Sequence, residues 1–196
     1  MKNLFMIIWS AALLINCAFA QHAVVPQFKA NASVSDNPFT SVKNYDLMLA
    51  CRAYDNVGHK LTFNVLLLKS GHWQKMTASV PANSVPLSVD EPALKPVETT
   101  DAQGEAIITG LANARFFTIP DDSGLPKCNE TEEVRNGNRD LVDHAIEDGP
   151  EYRIWIVTPK KVRYLYYYAP DFFAQFCADN KERADVIKIV NLFKNW

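Results

Sequence analysis

From residue 45 onward, apolar and polar positions alternate in short runs separated by turn residues. Tyr45, Leu47, Leu49, Cys51 and Ala53 share one side of an extended segment, with Asp46, Met48, Ala50, Arg52 and Tyr54 opposite. That period of two predicts a strand. Asp55-Asn56-Val57-Gly58 supplies a turn, and Leu61 to Leu68 returns as a second strand to make a hairpin. Ser70-Gly71 interrupts the pattern, and His72 to Val80 alternates again. Pro81, Pro86, Pro92 and Pro96 bar a central strand through most of the next stretch, which is expected to cross the surface as a loop or an edge. Tyr152 to Thr158, the turn Pro159-Lys160-Lys161 and Val162 to Tyr168 form the clearest hairpin of the chain.

Helical spacing is confined to two places. Asn138 is expected to cap a short helix with Leu141, Val142, Ala145 and Ile146 on one side, stopped by Gly149-Pro150. Pro170 opens a helical tail whose stripe is Phe173, Phe176, Cys177, Ala184 and Ile187, interrupted near Asn180. The pattern predicts a mainly β chain: an antiparallel, β-sandwich-like domain with a short helix and a helical C-terminal tail.

The start of the chain reads differently. Lys2, the apolar run Leu4 to Ile15 broken only by Ser10, and Ala18-Phe19-Ala20 have the three-part layout of a secretory signal, with cleavage expected after Ala20. The apolar run falls short of the roughly 20 residues that span a bilayer. Asn16 before Cys17 is too large and polar for a lipoprotein signal, which disfavours a lipid anchor at Cys17. The expected organisation is a signal peptide over 1–20, an extended arm over 21–43, and one β-rich domain over 44–196 whose terminal helix begins at about 170. A periplasmic or secreted location follows, and the compact leader has a bacterial look.

Composition narrows the function. The 196 residues are 48% hydrophobic with a net charge of −2, so neither disorder nor a nucleic-acid-binding basic stripe is indicated. No later segment is apolar enough to span a membrane. Past the leader, three cysteines remain. A disulfide between Cys128 and Cys177 would tie a long irregular segment to a helix, with Cys51 as the alternative partner. Asn31-Ala32-Ser33 and Asn129-Glu130-Thr131 would be glycosylation acceptors in a eukaryotic secretory route.

The segment from 97 to 111 contains Thr100, Asp101, Gly104, Ala106, Ile108 and Leu111. The order Thr-Asp-x-x-Gly-x-Ala resembles a hairpin of bacterial immunoglobulin-like and prealbumin-like β-sandwich domains. The residues themselves predict a turn over Thr99 to Ala106, a strand at Ile107–Ile108 and a returning strand at Phe116 to Ile119, and the resemblance implies a β-sandwich architecture. It covers about fifteen residues and implies no catalytic residue.

Candidate chemistry is sparse. Residues 121–151 hold ten acidic residues against Lys127, Arg135 and Arg139. Within them Asn136, Asn138, Asp140, His144 and Glu147 fall at EF-hand-like positions, but Leu141 stands where that loop requires glycine, so no metal is expected. His22, His59, His72 and His144 form no zinc-ligand spacing. No nucleophile elbow surrounds Ser70 or Ser123, and no cofactor motif is present. The strongest binding signal is aromatic. Tyr164, Tyr166 and Tyr168 share one strand face, Arg163, Leu165 and Tyr167 the other, and Trp155 lies in the neighbouring strand. The expected function is therefore a non-catalytic binding or accessory protein of the cell envelope. It would act by contact with another envelope or secreted protein, as an inhibitor, an immunity protein or a surface-assembly component. The alternative is an envelope hydrolase or glycan-binding module using the acidic section or the tyrosine strand.

Overall fold

The computed structural model describes residues 25–37, 39, 42–55, 60–81, 93–126, 130–177 and 179–195. The expected leader, its cleavage point, Cys17, Cys128 and His59 lie outside the described residues. The chain forms β1 (Leu47–Asp55), β2 (Lys60–Lys69), β3 (His72–Pro81), β4 (Lys95–Val97), α1 (Asp101–Asn113), β5 (Glu130–Arg135), β6 (Asn138–Asp143), β7 (Glu151–Thr158), β8 (Lys161–Tyr168), α2 (Pro170–Phe176) and α3 (Lys181–Lys194). Six strands make one antiparallel sheet in the order β4-β3-β2-β1-β7-β8, and β5 pairs with β6 in a separate hairpin. The architecture is mainly β and antiparallel, with helices at the positions where the layers close.

Both faces of the sheet are covered. On one, Leu47, Leu49, Cys51, Leu66, Leu68, Tyr152, Ile154, Ile156, Leu165 and Tyr167 pack against α1 and α3 through Ile108, Leu111, Val186, Ile189, Val190 and Phe193. On the other, Met48, Ala50, Phe63, Val65, Leu67, Trp155 and Val157 pack beneath Phe39, with Ala32, Val42 and Tyr45 of the arm beside them. The layering is sandwich-like, with the sheet between a helical layer and the arm. Two-sided burial explains why β2 runs Val65-Leu66-Leu67-Leu68 without alternation. Tyr45 belongs to the arm side rather than to the side of Leu47, because the regular strand begins only at Leu47.

Turn chemistry sets the hairpins. Ser70 and Gly71 both have positive φ (51° and 81°) and join Lys69 to His72, the two-residue turn whose twist suits antiparallel strands. Asn136 and Gly137 do the same at 52° and 81° between β5 and β6. This corrects the helix expected from Asn138: Asn-Gly is a stronger local instruction than the apolar spacing of Leu141 and Val142. Leu141 consequently sits 66% exposed, on the same hairpin face as Val134 at 71%. Pro96 lies in the short edge strand β4, where a missing N–H is tolerated.

The hairpin expected over 97–119 is also corrected: residues 101–113 are helical and Phe116 to Ile119 form no strand. Thr100 Oγ1 accepts from Gln103 N–H at 3.2 Å, and Gln103 Oε1 accepts from Thr100 N–H at 2.9 Å. That reciprocal cap starts the helix, and Gly104, Ile108 and Leu111 form its buried stripe at helical spacing. Asp101 docks the helix on β3, taking Trp73 N–H at 2.7 Å and lying 2.9 Å from His72 Nδ1. Trp73 Nε1 donates to Glu105 at 2.8 Å. A Cβ on Gly104 would lie 2.1 Å from Trp73 Cγ, so the absence of a side chain is what admits the indole.

The C-terminal tail is broken as expected, with α2 ending before Cys177 and Asn180 capping α3 through Arg183 N–H at 2.8 Å. The break re-phases the second helix. Its buried face is Arg183, Val186, Ile189, Val190 and Phe193, whereas Ala184 is exposed and Ile187 half-buried. Arg183 is 1% exposed; its guanidinium donates twice to the Pro126 carbonyl, at 3.2 and 2.9 Å, and once to Asp122 at 2.7 Å. Asp185, equally buried, accepts from Arg115 at 2.6 Å and Lys188 at 3.1 Å. Cys51 is buried and free, with burial pushing its thiol up to about 12 despite the nearby Lys194, so it is not the disulfide partner considered for Cys128 or Cys177. Cys177 is disulfide-bonded.

Gly104→Ala is expected to destabilise the protein by about 2 kcal/mol in urea unfolding. Overpacking costs about 1–3 kcal/mol and outweighs the roughly 1 kcal/mol of helix propensity gained. Gly110→Ala, whose added carbon would meet only the Leu192 methyl groups at 3.2 Å, should be neutral or stabilising in the same assay. Burial alone would raise the Asp185 carboxyl, but the Arg115 and Lys188 hydrogen bonds hold it below its ordinary value. A depressed carboxyl contributes stability above its unfolded value, about 3.9, and loses it as pH falls through the lower folded value. Asp185→Asn should therefore be less stable than the natural chain at pH 7, with the gap narrowing in acid unfolding below pH 4.

Candidate functional site

Strand β8 pairs residue for residue with β7, from Thr158 opposite Lys161 to Glu151 opposite Tyr168. Thr158 Oγ1 accepts from Lys161 N–H at 3.1 Å and closes the turn through Pro159 and Lys160. Strand geometry then divides β8 into two faces with different tasks.

The inward face is structural. Arg163 donates to the carbonyls of Phe116 (3.2 Å) and Ile119, and Tyr167 donates to the Pro120 carbonyl at 2.9 Å. These bonds pin the irregular segment after α1 to the sheet. Burial lowers the Arg163 pKa and raises that of Tyr167. Trp155, on the arm side, is also buried, with Phe39 at 5.7 Å and Tyr164 at 5.5 Å between ring centroids. Arg163, Tyr167 and Trp155 are therefore interior members of the binding group expected from the sequence.

Tyr164, Tyr166 and Tyr168 form the outward face, each half-buried, and burial raises the pKa of Tyr164 and Tyr166. Tyr168 is tied at its tip: its hydroxyl lies 2.6 Å from the Glu147 carbonyl, to which it donates, and accepts from Gly149 N–H at 3.0 Å. β8 is the edge strand, and the arm shields its first half. Asn31 Nδ2 donates to the Tyr164 carbonyl at 2.8 Å, and Asn31 Oδ1 accepts from Tyr164 N–H at 2.7 Å, so the amide imitates a strand residue. Ala32 bridges to Val162 beside it. The Asn31 amide thus engages the fold through its oxygen and one of its two N–H groups. Between the arm and residues 117–121 runs a groove of about 600 Å³, lined by Phe28, Asn31, Phe117, Asp121 and Arg163 among others.

The acidic section does not converge. Asn136 lies in the β5–β6 turn, and Asn138 and Asp140 lie in β6. His144 stacks on Phe176 with ring centroids 4.2 Å apart, its Nε2 2.6 Å from Thr131 Oγ1. Glu147 follows in an irregular stretch. Among the described residues, no group of three or more His, Cys, Asp or Glu is placed to hold a metal ion. Among the same residues, no helix is long and apolar enough to cross a membrane.

The sequence reading missed two features. Val134 and Leu141 form an exposed apolar pair on the β5–β6 hairpin, signalled in the chain by Asn136-Gly137. Arg52 and Arg153 stand opposite each other on β1 and β7, beside the outward tyrosines. Comparison with protein-family models, with curated proteins and with solved structures finds no match for this chain.

The two faces of β8 should separate by mutation. Arg163→Met, which strands two carbonyls, is expected to cost about 2–3 kcal/mol in urea unfolding, since bonds from a charged donor are worth about 1.5–3 kcal/mol each. Tyr166→Ser should cost less than about 1 kcal/mol, as expected of a surface change.

Proposed function

We propose that the protein is an exported, non-catalytic binding or accessory protein of the cell envelope, meeting another protein through the outward face of β7 and β8. The carrying observation is the row Tyr164, Tyr166 and Tyr168, half-exposed on an edge strand, while their inward neighbours hold the fold. Tyrosine offers a large, stiff contact area with a polar tip, a combination suited to protein interfaces. The exposed Val134–Leu141 pair on the β5–β6 hairpin offers a separate small apolar spot. Inhibition of an enzyme or toxin and membership of a surface assembly both belong to this reading.

Export is the setting. The leader over 1–20 would deliver a chain beginning at Gln21 to the periplasm or the exterior, with Cys17 removed rather than lipidated. An oxidising compartment accords with a disulfide at Cys177, whose proposed partner is Cys128, and with Cys51 remaining a buried thiol. The acidic residues offer less support for a hydrolase, because His144 is engaged by Phe176 and Thr131.

The test is affinity capture from an envelope extract with the chain from Gln21 as bait. One protein should be retained by the natural sequence and lost, at least tenfold, with Tyr164→Ser/Tyr166→Ser, whose thermal midpoint should stay within a few degrees. Retention of the same protein by both baits would reject the tyrosine face as the contact.

A further inference from the structure

On the arm-side face of the sheet, three rows of side chains cross β2, β1, β7 and β8. The registers place Val65, Ala50, Trp155 and Tyr164 in one row, Phe63, Arg52, Arg153 and Tyr166 in the next, and Leu61, Tyr54, Glu151 and Tyr168 in the third. Arg52 and Arg153 are thus direct cross-strand neighbours at the centre of an aromatic surround, their Cβ atoms about 5 Å apart. Like charges in that relation repel.

The surroundings do not neutralise the pair. Arg52 is 6% exposed, and the acid that acts on it among the described residues is Glu151, which also faces Arg153. This contrasts with the other deeply buried arginines, for Arg183 and Arg163 each have carbonyl acceptors. Arg153 leaves its Nε buried without an acceptor, and its nearest acid is Glu151 at 3.8 Å. Burial and the neighbouring Arg153 both lower the Arg52 pKa, with Glu151 and Tyr164 acting the other way. One carboxylate therefore serves two guanidiniums. Arginine donates five N–H groups in a planar fork and remains charged when buried, so such a pair lacks acceptors rather than protons.

We propose that Arg52 and Arg153 form an oxyanion-binding site on this face, taking a carboxylate or a phosphate group between their guanidiniums, with Tyr164 and Tyr166 at its rim. Two guanidinium forks match the paired oxygens of either group. The site goes beyond the protein contact proposed above, because anion binding is a property of the isolated chain whether or not a partner is captured. Within such a contact it would receive an acidic group.

The test compares the natural chain with Arg52→Met and Arg153→Gln at constant ionic strength, replacing chloride by phosphate in one arm and by succinate in the other. The arginine Nε–H signals of the natural chain should shift and saturate in at least one arm, and the two arms identify which anion chemistry is preferred. Its thermal midpoint should rise more than that of either variant, which corrects for the general stabilising effect of such salts. Each variant should bind at least fivefold more weakly. In chloride alone, Arg52→Met should unfold at a higher midpoint than the natural chain, since it removes one of two like charges set opposite each other on neighbouring strands. Equal midpoint shifts in all three proteins, or unmoved arginine signals in both arms, would overturn the proposal. A lower midpoint for Arg52→Met in chloride would also overturn it, by showing that the fold already satisfies that guanidinium. If Arg52→Met does not fold, the half-exposed Arg153→Gln carries the comparison.

Discussion

Two-sided burial of the central strand governs this fold. Every side chain from Leu47 to Cys51 is almost wholly removed from water, although successive side chains leave a strand in opposite directions. Such a strand is stable only if both faces of its sheet are covered. One cover is the helical pair α1 and α3, and the other is the arm with Phe39 at its centre. Strands toward the sheet edges are relieved of this demand, and that is where polar and half-exposed side chains appear. The tyrosine row on β8 exists because the arm reaches only part of its face.

Irregular segments are then attached by a few polar side chains whose partners are mostly main-chain carbonyls. Arg163 and Tyr167 hold residues 116–120 on the sheet, and Arg183 holds residues 122–126 beneath α3. A buried carbonyl outside regular structure needs a donor, and a buried guanidinium needs acceptors, so each satisfies the other. Arg153, whose Nε is buried without an acceptor, departs from this rule, as Arg115 does at Nη2. Arg153, with Arg52 opposite it, lies on the same side of the sheet as the half-buried tyrosines.

The strands β1, β2, β3, β7 and β8 were legible because alternation and turn residues act between neighbours in sequence. The division of β8 into two faces followed from the same geometry. The misread segments are those where two local signals competed. Thr100 and Gln103 cap a helix, while Asp101 and Gly104 in the same stretch resemble a turn. Asn136-Gly137 demands a tight reversal, while Leu141 and Val142 keep helical spacing. A cap or a turn with two positive φ values constrains the backbone directly, and it prevailed over the competing signal in both cases.

By itself the sequence determined a mainly β, antiparallel chain, its principal hairpins and a divided C-terminal helix, since these depend on contacts close along the chain. Tertiary structure alone decided that Arg163, Tyr167 and Trp155 serve the interior while Tyr164 and Tyr166 face outward to the rim. It alone set Arg52 opposite Arg153, about a hundred residues away, because strand order joins β1 to β7 across everything between them. Registers between distant strands arise from which faces can be buried together, and that choice is made only when the whole core assembles.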